Sequence, residues 1–372
     1  MIEVTDLAYL HRAQAEELEA AALRVLRSGA YLRGAEVEAL EREFARCCRT
    51  RGAVAVGSGL DALELAFEAL GIGPGDEVIV PGHTAIATWL AITHSGAAIV
   101  PVDVDRTTML LHPDAVRAAI GPRTSAIVLV HLYGLVAEVD EIAALARAHG
   151  IALIEDGAQA HGARAGDRVV GSIGDIGAFS LYPTKNLGAA GDGGIVISDD
   201  AALLGRVRML GNYGERRRSF SELLGHNSRL DEVQAAMLRI KLRRLEHFNE
   251  ERRQRAEGYL RALSDIPGIE LPVVGAGTTP VWHQFVVRVD GRDEVRAALE
   301  EHGVRTLVHY PEPPHRSRAY AGLVDACLPV TDRLSERVLS IPSGPHVDDA
   351  AARRVSDELV RAVGQTASVT RR

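Results

Sequence analysis

Through the first three quarters of the chain, short apolar runs alternate with segments whose apolar positions recur every three to four residues. The short runs are Ala53–Val56, Val78–Val80, Ala98–Val102, Ala126–Val130, Ile151–Ile154, Ala178–Leu181 and Gly194–Ile197. Their length and β-branched content predict strands. Val37, Leu40 and Phe44, then Leu60, Leu63 and Phe67, and later Val139 to Ala148, keep helical spacing. Apolar strands alternating with helices predict an α/β domain with a mainly parallel sheet covered on both faces.

The pattern changes near Asp231, where a helix is expected to run to about Leu263 and to end before Pro267-Gly268. A strand near Gln284–Val289, a helix near Asp293–His302 and then strand, helix, strand, helix predict a smaller α+β domain. We place the large domain at residues 1–250 and the small one at 251–372. Gln365 to Arg372 read as a frayed tail.

Composition narrows the functional classes. A formal net charge of −8 disfavours a whole-protein nucleic-acid or anionic-membrane binder. No apolar run approaches the ~20 residues that span a bilayer. Met1 to Asp6 lacks the basic start and apolar stretch of a secretory leader, so a cytoplasmic location is expected. Cys47, Cys48 and Cys327 have neither disulfide-framework nor zinc-site spacing and are expected to be packing residues.

Four stretches carry candidate chemistry, and three of them end apolar runs, where open α/β sheets bind ligands. Gly57-Ser58-Gly59 lets backbone N–H groups approach an anion, or is simply a tight turn. Asp156 ends a strand and either faces a cationic heterocycle or caps a helix. Lys185 follows Tyr182-Pro183-Thr184 and precedes a glycine-rich stretch; it is a Schiff-base former or an ordinary surface lysine. Asn227 starts the long helix and is a ligand or a cap. Order and spacing favour the chemical readings: Asp156 precedes Lys185 by 29 residues, and Ser180 precedes it by five. Pyridoxal 5′-phosphate (PLP) needs these parts: a carboxylate for its pyridine nitrogen, donors for its phosphate and an amine for its aldehyde.

These residues resemble the DegT/DnrJ/EryC1/StrS family of sugar aminotransferases from Ser28-Gly29 to Ser343. The motifs are Gly-Asp-Glu-Val-Ile-Val-Pro (75–81), Val-His-Leu-Tyr-Gly (130–134), Glu-Asp-Gly-Ala-Gln-Ala-His-Gly (155–162), Tyr-Pro-Thr-Lys-Asn-Leu (182–187), Asn-Ser-Arg-Leu-Asp-Glu (227–232), Val-Trp-His (281–283) and His-Tyr-Pro (309–311). The resemblance implies the aspartate aminotransferase-like (type I) PLP fold with a seven-stranded sheet. It implies Lys185 as the Schiff-base lysine and Asp156 as partner of the pyridine nitrogen. Gln159 would hydrogen-bond the phenolic oxygen. Ser180, with Ser58 and the amides of Gly59 and Leu60, would hold the phosphate. Asn227 would reach that phosphate across a homodimer interface, so the active sites would be shared.

Three positions depart from the family pattern. Leu60 stands where a threonine is usual, and Gly157 where an alanine is usual. Ala85 stands where an aromatic stacks on the cofactor ring. Either His83 or Trp89 substitutes for that aromatic, or the ring face is open for a larger substrate.

The resemblance implies ping-pong transamination, with L-glutamate leaving as 2-oxoglutarate and the pyridoxamine form (PMP) then aminating a keto-sugar. The expected substrate is the 3-keto group of a TDP-linked 6-deoxyhexose, on a route to an antibiotic or surface glycan. A 4-keto nucleotide sugar or a cyclitol ketone is the alternative, and a non-catalytic regulator a further one. Tyr182, His309 and Tyr310 would meet the sugar or diphosphate. Arg216, Arg217 and Arg218 would supply charge for the diphosphate from the second subunit, or form a solvated loop. His131 and His283 read as structural, His161 as a possible pocket residue, and His94, His149 and His315 as surface residues.

Overall fold

The computed structural model describes residues 1–369, with side chains described through Thr366. Each expected strand of the large sheet forms: β1 (Gly52–Val56), β2 (Glu77–Pro81), β3 (Ala98–Val102), β4 (Thr124–Val130), β5 (Ala152–Asp156), β6 (Ile176–Ser180) and β7 (Gly194–Ser198). Their order is β1-β7-β6-β5-β4-β2-β3. Only β7 runs antiparallel to its neighbours, so the carboxyl ends of the other six share one edge. That edge holds Ser58, His83, Asp156 and Ser180.

Helices cover both faces, as the buried strands inside the sheet require; only the edge strand β3 is largely open. In chain order they are α1 (Leu7–Arg12), α2 (Ala15–Ser28), α3 (Ala35–Cys48), α4 (Gly59–Leu70), α5 (Ile86–Ser95), α6 (Pro113–Ala119), α7 (Val139–His149) and α8 (Ala201–Leu210). The sequence reading did not single out α1 or α2, whose exposed faces dilute the apolar signal.

Helix α9 (Glu232–Leu263) matches the expected long helix within a residue. The expected domain boundary at 250 falls inside it. Its first half is tied to the large domain, where Arg239 pairs with Glu36 at 2.6 Å and Glu43 at 2.7 Å. Its second half reaches the C-terminal part: Tyr259 donates to Pro342 O at 2.6 Å and Arg255 pairs with Asp349 at 2.8 Å. The small sheet pairs β8 (Ile269–Glu270), β9 (Phe285–Val289) and β10 (Val338–Ile341), flanked by α10 (Arg292–Glu301), α11 (Pro329–Arg337) and α12 (Asp349–Val369).

Four expectations need correction. The first strand expected after α10 is a single bridge, Leu307 to Ser340, because prolines at 311, 313 and 314 end the extended run. Residues 365–369 continue α12 instead of fraying; the remainder of the expected tail, 370–372, lies outside the described residues. Cys47 and Cys327 are exposed and only Cys48 is buried, since adjacent positions on α3 point about 100° apart. His315 is buried, not superficial, and meets Asp332 at 2.9 Å.

Candidate active site

The site is built on the carboxyl ends of β5 and β6. Asp156 closes β5 and is buried. Burial raises its carboxyl pKa, and four groups oppose that: the Ala158 N–H at 3.1 Å, the Thr88 hydroxyl at 2.9 Å, the charge of Lys185 and that of His131. Lys185 follows β6 in a turn closed by its N–H to Tyr182 O at 2.9 Å. Burial pulls its ammonium down to about 8, and the nearby Asp156 carboxylate limits the fall. A buried acid and a partly buried lysine with neutral-range character, each sensing the other's charge, mark a chemical centre.

Gln159 joins this centre. Its Oε1 accepts the Tyr133 N–H at 2.6 Å, and its Nε2 donates to the Tyr310 hydroxyl at 3.1 Å. The second Nε2 hydrogen remains available. Burial pushes Tyr310 up to about 12 and His309 down to about 4, the latter with help from Lys185. Tyr133 sits at φ 62°, unusual for a bulky L residue. Its hydroxyl donates to His309 O and contacts His83 Nε2 at 2.7 Å. With the phenolic proton directed at His309, His83 Nε2 must be the donor to Tyr133.

An anion cradle lies where α4 begins. Gly59 has no Cβ because one would lie 2.5 Å from Ser180 Cβ, so glycine lets the helix start approach Ser180. The Gly59 and Leu60 N–H groups belong to the first turn, which has no intrahelical acceptors. Ser58 is placed differently from its expected role. Its hydroxyl caps α4, accepting from Asp61 N at 3.0 Å and donating to Asp61 Oδ1 at 2.8 Å, which leaves it no further proton to offer an anion.

The ring-face question narrows. Trp89 is fully buried, donates to Pro81 O at 3.0 Å and packs edge-on to Tyr320, so it does not face a ligand. Ala85 is half-buried at the start of α5. Gly157 has a physical reason: a Cβ there would lie 2.5 Å from the Phe179 ring.

Not all expected residues converge. Tyr182 is half exposed at the rim. Asn227 is exposed and bridges Asn212, and no hydrogen bond joins it to Lys185 or Ser180. Arg216, Arg217 and Arg218 are on an exposed hairpin, where Arg217 covers the Phe220 ring at 3.9 Å and Arg216 lies 3.6 Å from Glu222. Within one chain these four residues stand apart from the centre.

The histidines divide. His131 Nδ1 accepts the Ala137 N–H at 3.3 Å, so its Nε2 proton meets buried Glu155 at 3.2 Å. His283 contacts Asn186 at 3.2 Å. His161 is buried against Phe179, and burial followed by the Lys185 charge drives its imidazole down to about 3. Sequence reasoning assigned no role to Thr88 or Tyr133. Thr88, in the first turn of α5, joins Thr84 from the segment before that helix at 3.0 Å.

The centre fits PLP on its own geometry. It offers a buried carboxylate, a partly buried amine of depressed basicity and a glycine-lined helix start beside a serine.

Comparison with known proteins agrees. The model of the DegT/DnrJ/EryC1/StrS aminotransferase family matches residues 12–360. A dTDP-3-amino-3,4,6-trideoxy-alpha-D-glucose transaminase of Streptomyces venezuelae is 50% identical over 354 residues, covering 95% of this chain and 93% of the relative. A dTDP-3-amino-3,6-dideoxy-alpha-D-galactopyranose transaminase of Aneurinibacillus thermoaerophilus is 42% identical over 361 residues, covering 97% and 99%. The crystal structure of S. venezuelae DesV in complex with a ketimine intermediate superposes with a TM-score of 0.95 at 49% identity, covering 97% of this chain and 98% of that one.

Proposed function

Because the chain belongs to the DegT/DnrJ/EryC1/StrS aminotransferase family, we propose that it moves an amino group from L-glutamate to the 3-keto carbon of a TDP-linked 6-deoxyhexose. It is a PLP-dependent aminotransferase, with type I architecture. The choice of sugar is supported by two relatives whose names specify 3-amino dTDP-sugars. The observation that carries the chemistry is that buried Asp156 and partly buried Lys185, at the ends of neighbouring strands, each sense the other's charge.

PLP supplies an electron sink and an aldehyde that carries nitrogen between two substrates. The protein supplies the rest. Asp156 would present a carboxylate to the pyridine nitrogen and keep a proton there. Gln159 would offer its remaining Nε2 hydrogen to the phenolic oxygen. Ser180 and the Gly59 and Leu60 amides would hold the phosphate. Lys185 would hold the aldehyde, and its neutral amine would move a proton to and from the substrate α-carbon. A lysine titrating near 8 suits that exchange better than one at its ordinary value. Tyr182, His309 and Tyr310 line the sugar side.

The active unit is a homodimer in this reading. Tyr31, Leu32, Tyr213, Phe220 and Leu224 are large exposed apolar residues around the Asn227 loop. A second copy covering them would bring Asn227 and Arg216 to Arg218 to the neighbour's site. The dimer works in the cytoplasm; among the described residues no helix is long and apolar enough to cross a membrane. Adding L-glutamate to the purified holoenzyme tests the donor half: absorbance should move from about 410–430 nm toward about 330 nm. An unchanged spectrum would support a non-catalytic regulator instead.

A further inference from the structure

Tyr133 touches both halves of the site. It follows β4, is buried, and has a left-handed backbone that a bulky L residue keeps only when its surroundings hold it there. Its N–H donates to Gln159 Oε1 at 2.6 Å, and its carbonyl accepts from Gln284 N at 3.2 Å. The next residue is pinned as well. Gly134 O accepts from Val281 N at 3.0 Å, and a Cβ on Gly134 would lie 2.8 Å from His283 N.

The backbone bond orients Gln159. A backbone N–H can only donate, so a flipped amide would set donor against donor. With Oε1 held by Tyr133, Nε2 turns to the Tyr310 hydroxyl at 3.1 Å and keeps its second hydrogen for a ligand.

The hydroxyl holds the opposite wall. A carbonyl can only accept, so the Tyr133 proton goes to His309 O. Burial keeps the phenol protonated, well above its ordinary value. The phenol oxygen is then free to accept, and His83 Nε2 meets it at 2.7 Å. Burial holds His83 down to about 4, against the charge of Asp103, so the imidazole is neutral near neutrality and its one ring proton sits on Nε2. Ser340 of β10 anchors His309 from the far side, 2.8 Å from its Nδ1. His83, Tyr133 and His309 therefore form one chain of directed hydrogen bonds, from the end of β2 to the loop before α11.

We infer that Tyr133 is a positioning residue with two separable roles: its backbone orients Gln159 on the cofactor side, and its hydroxyl, aligned by His83, holds the His309-Tyr310 segment on the sugar side. The roles separate because a side-chain substitution leaves the N–H in place. The kinetic consequence rests on the keto-sugar reading of the site; the hydrogen-bond chain does not.

NMR of cofactor-free full-length protein carrying ¹⁵N-labelled histidine reads the chain first, with the His83 signals identified by their loss in His83→Leu. Near neutral pH the wild type should show His83 protonated on Nε2, and Tyr133→Phe should lose that preference. In the holoenzyme, Tyr133→Phe should raise the KM for the keto-sugar at least ~10-fold relative to that for L-glutamate, the scale of a buried carbonyl left without its donor. His83→Leu should raise the same ratio, and adding it to Tyr133→Phe should do no further harm, because both break one chain. A wild-type His83 protonated on Nδ1 would overturn the inference, since Tyr133 would then donate to His83 and not to His309. Equal impairment of both substrates by Tyr133→Phe would show a merely structural tyrosine, and additive effects of the two substitutions would show two separate residues. A wild type that does not aminate the keto-sugar would overturn the functional reading instead, with the tautomer result still deciding the chain.

Discussion

Thr88 Oγ1 donates to Asp156 Oδ2 at 2.9 Å across 68 residues of sequence, and Thr84 Oγ1 stands 3.0 Å behind it. A hydroxyl has one proton, so Thr88 gives its own to the carboxylate and receives that of Thr84. The relay favours the charged form of a buried acid that desolvation pushes toward neutrality. Thr88→Val keeps the shape and removes the donor. Cofactor affinity should fall about tenfold, the scale of one hydrogen bond to a charged group. Thr88→Ser should restore most of it. Equilibrium dialysis against PLP measures both, and an unaltered Thr88→Val affinity would remove this role.

Lys185 sets a pH dependence. Cofactor capture needs its neutral amine, so the rate of PLP uptake by cofactor-free enzyme should rise with pH and half-saturate near 8. Asp156 raises the lysine value, hence Asp156→Asn should shift the midpoint lower. The stability sign follows from the same shift. Between about 8 and 10.5 the unfolded lysine still binds a proton that the folded one has lost, so stability rises with pH there. Urea titrations of cofactor-free wild type against Lys185→Met should show the rise in the wild type alone.

Gly157 and Phe179 share one volume. Gly157→Ala puts a methyl 2.5 Å from the Phe179 ring and should cost about 1–3 kcal/mol of stability. Phe179→Leu in the same chain should recover part of that loss. Chemical denaturation of the single and double variants decides it; additive losses would show that the two positions do not interact.

Much of the framework was legible because burial on both strand faces writes continuous apolar runs, as in Ala126–Val130 and Gly194–Ile197. Asp156 and Lys185 were legible because both follow such runs, where a parallel sheet presents its ligands. The cap that Ser58 makes with Asp61, only three residues on, was not legible, because the same Gly-Ser-Gly turn serves an anion site and a helix start alike.

The shared-site dimer predicts complementation. Lys185→Ala and Asn227→Ala should each be impaired alone. Refolded together, they should recover about a quarter of wild-type activity, because half the dimers would carry one intact site of two. No recovery in mixtures shown by mass to contain hybrid dimers would place Asn227 outside the neighbour's site.

The central claim is that this chain moves nitrogen from glutamate to a sugar carbon through Lys185. Purified enzyme, ¹⁵N-labelled L-glutamate and TDP-linked 3-keto-6-deoxyglucose should yield a sugar with the label at C3, read directly by NMR, and Lys185→Ala should yield none. An unlabelled sugar with intact glutamate, or equal labelling by Lys185→Ala, would contradict the account.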